Sequence, residues 1–242
     1  MVNDIKLAVL IDGDNIPSKY IKEMMEEIAK YGTPTIKRIY GDWTKPQLGK
    51  WKTILLENAI TPIQQYGYTT GKNATDSAMI IDAMDILYSN NVDGFCLVSS
   101  DSDFTRLATR LRESGMQVYG IGEKKTPDPF IVACDKFIYL EILEPYHDLK
   151  DEQGEPKKPV LEKITPKVIK FLKQSVSDAA DEDGWAFLGD VGSLILKKQP
   201  NFDSRNFGFE KLTPLFKSLN QFEIDQRVQS GVRFKLIYVR NK

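Results

Sequence analysis

Six short runs of apolar and β-branched residues mark out the first 141 positions: LAVLI (7–11), TIKRIY (35–40), ITPIQQY (60–66), DGFCLVSS (93–100), MQVYGIG (116–122) and KFIYLE (136–141). They read as strands. Between them, residues 17–30, 46–58, 75–89 and 103–114 place their apolar side chains at helical spacing, and Gly32 and Gly115 fall where helix C-terminal glycines belong. Strands alternating with helices predict right-handed βαβ crossovers and an α/β domain with a parallel sheet covered on both faces. In such a sheet, functional residues gather at the strand carboxyl ends.

The pattern changes after position 147. The segment DLKDEQGEPKKP (148–159) is charged, holds Gly154 and two prolines, and has no apolar period, so it reads as a linker. Beyond it, three helical patterns (163–178, 186–198 and 204–219) precede two strand-like runs, FEIDQR (222–227) and VRFKLIYV (232–239), joined through a turn at Gly231. Three helices and a terminal hairpin describe a winged helix-turn-helix. The expected organisation is one domain over 1–147, a linker over 148–160 and a second domain over 161–242.

Composition narrows the chemistry. With 242 residues, 41% hydrophobic and 28% charged, each part can bury a core. No apolar run approaches the ~20 residues that span a bilayer, and MVNDIKLAVLI has neither a basic leader nor a small-residue cleavage site, so a cytoplasmic protein is expected. Cys96 and Cys134 sit among apolar neighbours and read as core fillers. The single histidine, His147, lies beside the linker, which argues against Ser-His-Asp or Cys-His catalysis and His-rich zinc sites. Carboxylates must then carry any chemistry. The net charge of -1 divides unevenly: residues 1–149 hold 16 Lys/Arg against 21 Asp/Glu (-5), and 150–242 hold 17 against 13 (+4). The basic half is the better match to a polyanion.

Strand one ends in Ile11-Asp12-Gly13-Asp14-Asn15, so a buried strand delivers two carboxylates and an amide to the sheet's edge. Strand four repeats the device with Ser99-Ser100-Asp101-Ser102-Asp103. As neighbours at the switch point of an open sheet, these strands would turn Asp12 and Asp101 toward one crevice. Asp76 opens the third helix, with Thr75 as its expected N-cap. Asp14 and Asp103 also fit a plain helix-capping role. Carboxylates that converge without a basic partner repel one another and raise each other's pKa values unless a divalent cation joins them. Oxygen ligands without soft ones suit Mg2+ or Mn2+. A carboxylate-bound pair of such ions can activate water and stabilise the leaving oxygen in phosphodiester hydrolysis.

The strings IDGDN, GKNATD and VSSDSDF, in that order, resemble the NYN domain of LabA-like proteins, which have the PIN-like nuclease fold. The resemblance covers about the first 140 residues. It implies a metal-dependent ribonuclease with acids at Asp12, Asp76 and Asp101 and support from Asp103. It also gives Asn15 the polar position after the first acid, and Asp82 that of a recurrent helix acid. At ~100° per residue Asp82 points away from Asp76, so it is either a supporting or a purely structural group.

Residues that would touch RNA are more scattered. Lys72, just before Asp76, is the expected phosphate contact, and Ser99 and Ser100 either bond a phosphate or cap their turn. Trp43, Lys45, Lys50, Trp51 and Lys52 interleave rings and cations as a single-strand track would, although Leu48, Trp51 and Leu55 form an apolar stripe that favours a core place for Trp51. From about Ile164 to Val239 the chain resembles the OST-HTH, or LOTUS, domain, notably in WAFLGDVGSLILKKQPNFDSRNFGFEKLTPLF. That implies RNA binding, in some members a protein partner, with Lys197, Lys198, Arg205 and Lys211 as local cations.

Two other functions fit parts of the pattern. Asp12-Gly13-Asp14 after a hydrophobic strand also looks like the start of a haloacid-dehalogenase-type phosphatase, but strands two and three end in Tyr40-Gly41-Asp42 and Gln65-Tyr66-Gly67, without that family's Ser/Thr and Lys. A nuclease fold that serves only as an RNA or partner scaffold is the other alternative.

Overall fold

The fold is that of a computed structural model in which residues 4–45, 48–49, 51–66, 74–143, 161–228 and 235–242 are described. It divides into two compact units, Met1–Lys158 and Pro159–Lys242. The expected linker over 148–160 and His147 lie outside the described residues.

The first unit runs β1 (Lys6–Asp12), α1 (Ile21–Ile28), β2 (Thr33–Gly41), α2 (Trp51–Glu57), β3 (Thr61–Gln64), α3 (Ala74–Ser89), β4 (Gly94–Val98), α4 (Thr105–Glu113), β5 (Gln117–Gly122), α5 (Asp128–Ala133) and β6 (Lys136–Tyr139). All six strands lie parallel in the order β3-β2-β1-β4-β5-β6. In β1 every residue from Leu7 to Asp12 is buried. A strand with neighbours on both edges and helices on both faces has no solvent side, so apolar residues run on without alternation. Ala8 and Leu10 enter the core beneath α3, α4 and α5, while Leu7, Val9 and Ile11 enter the core beneath α1 and α2. Each buried Leu, Val or Ile among them stabilises the fold by about 1.5–3 kcal/mol, and Ala8 by less.

The chain winds outward from β1 to β3, returns, and continues from β4 to β6, so its direction of travel reverses between β1 and β4. Ile11 pairs with Val98 across that junction, and Asp12 and Ser99 therefore leave the sheet next to each other. Functional groups in open α/β sheets collect at such a point. Among the described residues of this unit, the one α-helix that the apolar spacing did not predict is α5, six residues opened by Pro127, Asp128 and Pro129. It is too short to display a period.

The second unit contains α6 (Pro166–Ala179), β7 (Ala186–Phe187), α7 (Leu188–Lys198), α8 (Leu212–Lys217), β8 (Phe222–Val228) and β9 (Lys235–Asn241). Thr165 caps α6 by accepting from Val168 N at 3.4 Å, with Pro166 at the first position. The strands form an antiparallel sheet in the order β7-β9-β8, the wing, over a core that includes Leu172, Val191, Ile195, Leu215, Phe216 and Val239. Two expectations need correction. Residues 186–187 are a strand before the helix begins, and the single helix expected over 204–219 is broken. Ser204–Phe207 form a 3-10 turn ended by Gly208 at φ 84°, Lys211 is extended, and α8 starts only at Leu212. Pro214 then sits in the first turn of α8, where its missing N–H is not needed. Among the described residues, no helix is long and apolar enough to cross a membrane.

Candidate metal centre

Asp12 is 1% exposed at the carboxyl end of β1. Its Oδ2 accepts from Asn15 Nδ2 at 2.6 Å and from Ser99 Oγ at 2.8 Å. Its Oδ1 is buried and has no hydrogen-bond partner among the described residues. Burial raises the Asp12 pKa despite those two donors. The Ser99 hydroxyl also accepts the Asp101 backbone N–H at 3.1 Å, so one side chain ties the end of β1 to the turn after β4.

That turn is built by its own acids. Asp101 accepts from Asp103 N at 2.9 Å and caps the 3-10 turn Ser102–Phe104, which leads into α4. Asp76 stands in the first turn of α3. Asp76, Asp101 and Asp103 each offer a carboxylate oxygen, and the three oxygens lie within 4.8 Å of one another. The Asp76 pKa is pushed up to about 6, first by burial and then by the charges of Asp12, Asp101, Asp103 and Asp14. The charges of four acids act on Asp76, and two of them, Asp101 and Asp103, bring an oxygen within 4.8 Å, the situation that a divalent cation relieves. An orphaned buried oxygen on Asp12 and an all-oxygen donor set fit such an ion.

The other expected residues distribute unevenly. Asp14 bonds Lys45 Nζ at 3.2 Å and the Thr75 hydroxyl at 3.1 Å. Because α3 begins at Ala74, Thr75 lies inside the first turn and ties it to Asp14, which corrects the N-cap expected of it. Ser100 turns aside and accepts from Glu123 N at 2.8 Å. Asp82 belongs to another network: it accepts from the Arg38 guanidinium and the Tyr40 hydroxyl, both on β2. Tyr40 is fully buried, and burial together with Asp82 raises its pKa. Trp51 is 3% exposed and in the core, while Trp43 donates its indole N–H to Ile63 O at 3.0 Å. Lys72 and Lys50 lie outside the described residues. A cleft of about 700 Å3 beside Asp14 and Asn15 is also lined by Ser18, Lys19 and Lys45.

In the second unit, Lys198 is paired with Asp178, and Arg205 is held by Asp203 through bonds of 3.0 Å and 2.7 Å. Lys197 and Lys211 are exposed. Sequence reasoning passed over Trp185, Arg227, Tyr238 and Arg240, which pack together on the wing. The period-2 alternation of β8 and β9 put Arg227, Tyr238 and Arg240 on one face, and no such period reaches Trp185, which precedes β7.

With this geometry in hand, comparison with known proteins places the chain. A model of the NYN domain matches residues 6–141. The chain belongs to the NYN-domain family, whose members have the PIN-like fold and are generally nucleases. More particularly, it joins that domain to an OST-HTH/LOTUS domain, matched over residues 159–233, a module that binds RNA. Among curated proteins, an uncharacterized protein of Methanocaldococcus jannaschii, MJ0482, is 26% identical over 121 residues. The match covers 48% of this chain and 47% of that protein, so the chain spans about half the length of this relative. A protein of unknown function from Vibrio parahaemolyticus, VPA0982, aligns at 20% identity and TM-score 0.47 over 57% of this chain and 93% of its own. An uncharacterized protein from Nitrosomonas europaea, NE0665, aligns at 32% identity and TM-score 0.31 over 40% of this chain and 90% of its own.

Proposed function

We propose that the chain is a Mg2+- or Mn2+-dependent endoribonuclease, with a nuclease domain through residue 147 and an RNA-holding domain from residue 161. The observation that carries this reading is the grouping of Asp76, Asp101 and Asp103 oxygens within 4.8 Å of one another; Asp12, which is not one of that trio, ends the neighbouring strand β1 with its Oδ1 unsatisfied and adds its charge to the field at Asp76. Asp12, Asp76, Asp101 and Asp103 would hold the cation. When bound, it supplies an activated nucleophile and charge stabilisation for phosphodiester hydrolysis.

The chain's own groups do the positioning. Asn15 and Ser99 occupy one oxygen of Asp12 and leave the other for the ion. Lys45, which pairs with Asp14 and lines the cleft, would meet a phosphate, and Lys72 would be a second contact on its nearness to Asp76 in sequence. Both cysteines are buried and unpaired, which suits a reducing, cytoplasmic setting.

The test uses purified protein with single-stranded RNA, structured RNA and DNA, in Mn2+, Mg2+ or EDTA. RNA should be cut internally with either metal, and not in EDTA. Asp12→Asn and Asp101→Asn should each lower the rate by more than about 100-fold. RNA that is bound but never cut would instead mark a scaffold. A phosphomonoester hydrolysed in preference to RNA would mark a phosphatase.

A further inference from the structure

We infer that the outward face of the wing is a stacking platform for the unpaired bases of single-stranded RNA; this rests on the reading that the second unit binds RNA. Successive side chains of a strand point to opposite faces. Ala186 pairs with Val239 and both are buried in the core, as is Phe222, with Ile224 and Ile237 packed against it. Trp185 and Phe187 on one side, Tyr238 and Arg240 in the middle, and Glu223, Asp225 and Arg227 on the other therefore share the outer face.

On that face the planar groups meet. The Phe187 and Tyr238 rings lie 5.8 Å apart. The Arg227 guanidinium sits 4.1 Å from the Tyr238 ring centre and 5.3 Å from that of Trp185, and Arg240 sits 4.7 Å from Trp185. Two carboxylates fix the guanidinium planes: Arg227 donates to Asp225 at 2.9 Å and Arg240 to Glu223 at 2.6 Å. Each of these four charged side chains is 41–48% exposed.

A solvated sheet face needs only polar residues. Here it carries three rings interleaved with two arginine planes, the surface on which extruded bases stack without regard to sequence. The paired charges leave this patch nearly neutral, so it favours bases over phosphates. The surplus of four positive charges in residues 150–242 supplies the longer-range attraction. A duplex, whose bases are already stacked on one another, offers nothing for the rings to hold.

The experiment is fluorescence anisotropy of the full chain in EDTA with a labelled, unstructured RNA oligonucleotide and with the same sequence as a duplex. The double variant Arg227→Lys/Arg240→Lys keeps both charges and removes both planes. It should bind the single strand about tenfold more weakly, with an unchanged salt dependence. Tyr238→Phe keeps the ring and should bind like the wild type, and the duplex should bind more weakly than the single strand. Ultraviolet crosslinking of the unmodified protein supplies a readout that needs no variant: nucleotide adducts should map to Trp185 or Tyr238. If the double variant binds as tightly as wild type, or adducts appear only around Lys197 and Lys211, the platform is wrong and RNA binding by the unit stands. If the wild type binds no RNA, the RNA-holding role fails and the platform fails with it.

Discussion

Asp12 has one oxygen saturated by Asn15 and Ser99 and one left bare, all in a setting that is 1% exposed. Removing a donor loosens the carboxylate without removing it. Ser99→Ala should lower divalent-ion affinity by about 10–100-fold, read by calorimetric titration with Mn2+, while the fold is kept. Asp76 makes the complementary prediction in pH. Its folded-state pKa of about 6 lies above the ordinary 3.8, so its proton is held more tightly in the folded protein. Its contribution to stability is therefore full below pH 3.8 and lost as pH rises through about 6. Without divalent ions, Asp76→Asn should melt at a higher temperature than wild type at pH 7.5, and the gap should close toward pH 4. Added Mn2+ at pH 7.5 should stabilise wild type more than the variant. A gap that does not change with pH would refute the crowding of acids around Asp76.

The elements explain why these residues meet. Helix α3, which carries Asp76, is fastened to β2 by Asp82 with Arg38 and Tyr40. Asp82→Ala should cost about 1–3 kcal/mol in urea unfolding, since the buried Tyr40 hydroxyl loses its acceptor. It should lower metal affinity less than Asp76→Asn does. On the opposite side, a Cβ at Gly122 would stand 2.5 Å from the Ser99 carbonyl oxygen and 2.8 Å from Thr126 Oγ1. Gly122→Ala must therefore push the β4 turn outward, with a stability loss of about 1–3 kcal/mol and a weaker metal site. Much of this scaffold was legible beforehand. Hydrophobic runs that stop at Asp12 and at Ser99 announce parallel strands ending in acids, and those strands are neighbours. Other features were hidden because they depend on tertiary geometry. Asp103 was expected as a supporting acid, but that its oxygen, and not one of Asp12, groups with those of Asp76 and Asp101 depends on the 3-10 turn at 102–104, which apolar spacing does not reveal. The break at Gly208 was masked by Phe209, Leu212 and Phe216, whose spacing looks helical although Phe209 lies outside α8. The partners of Asp82 sit 44 and 42 residues away on another element.

At the scale of the whole molecule, an acidic unit and a basic unit divide the work of the proposed nuclease. Cleavage and retention should then separate by mutation. Asp101→Asn should abolish cutting and leave RNA affinity near wild type, whereas Arg227→Lys/Arg240→Lys should raise KM and leave the rate at saturating RNA largely intact; steady-state kinetics beside binding isotherms would check this. Everything in the account turns on whether the gathered carboxylates hold an ion. Titration of the metal-free protein with Mn2+, followed by electron paramagnetic resonance, measures that directly. Wild type should take up Mn2+ at a site that Asp101→Asn and Asp76→Asn each weaken strongly. Equal uptake by all three proteins, or RNA cleavage that persists in EDTA, would contradict the account.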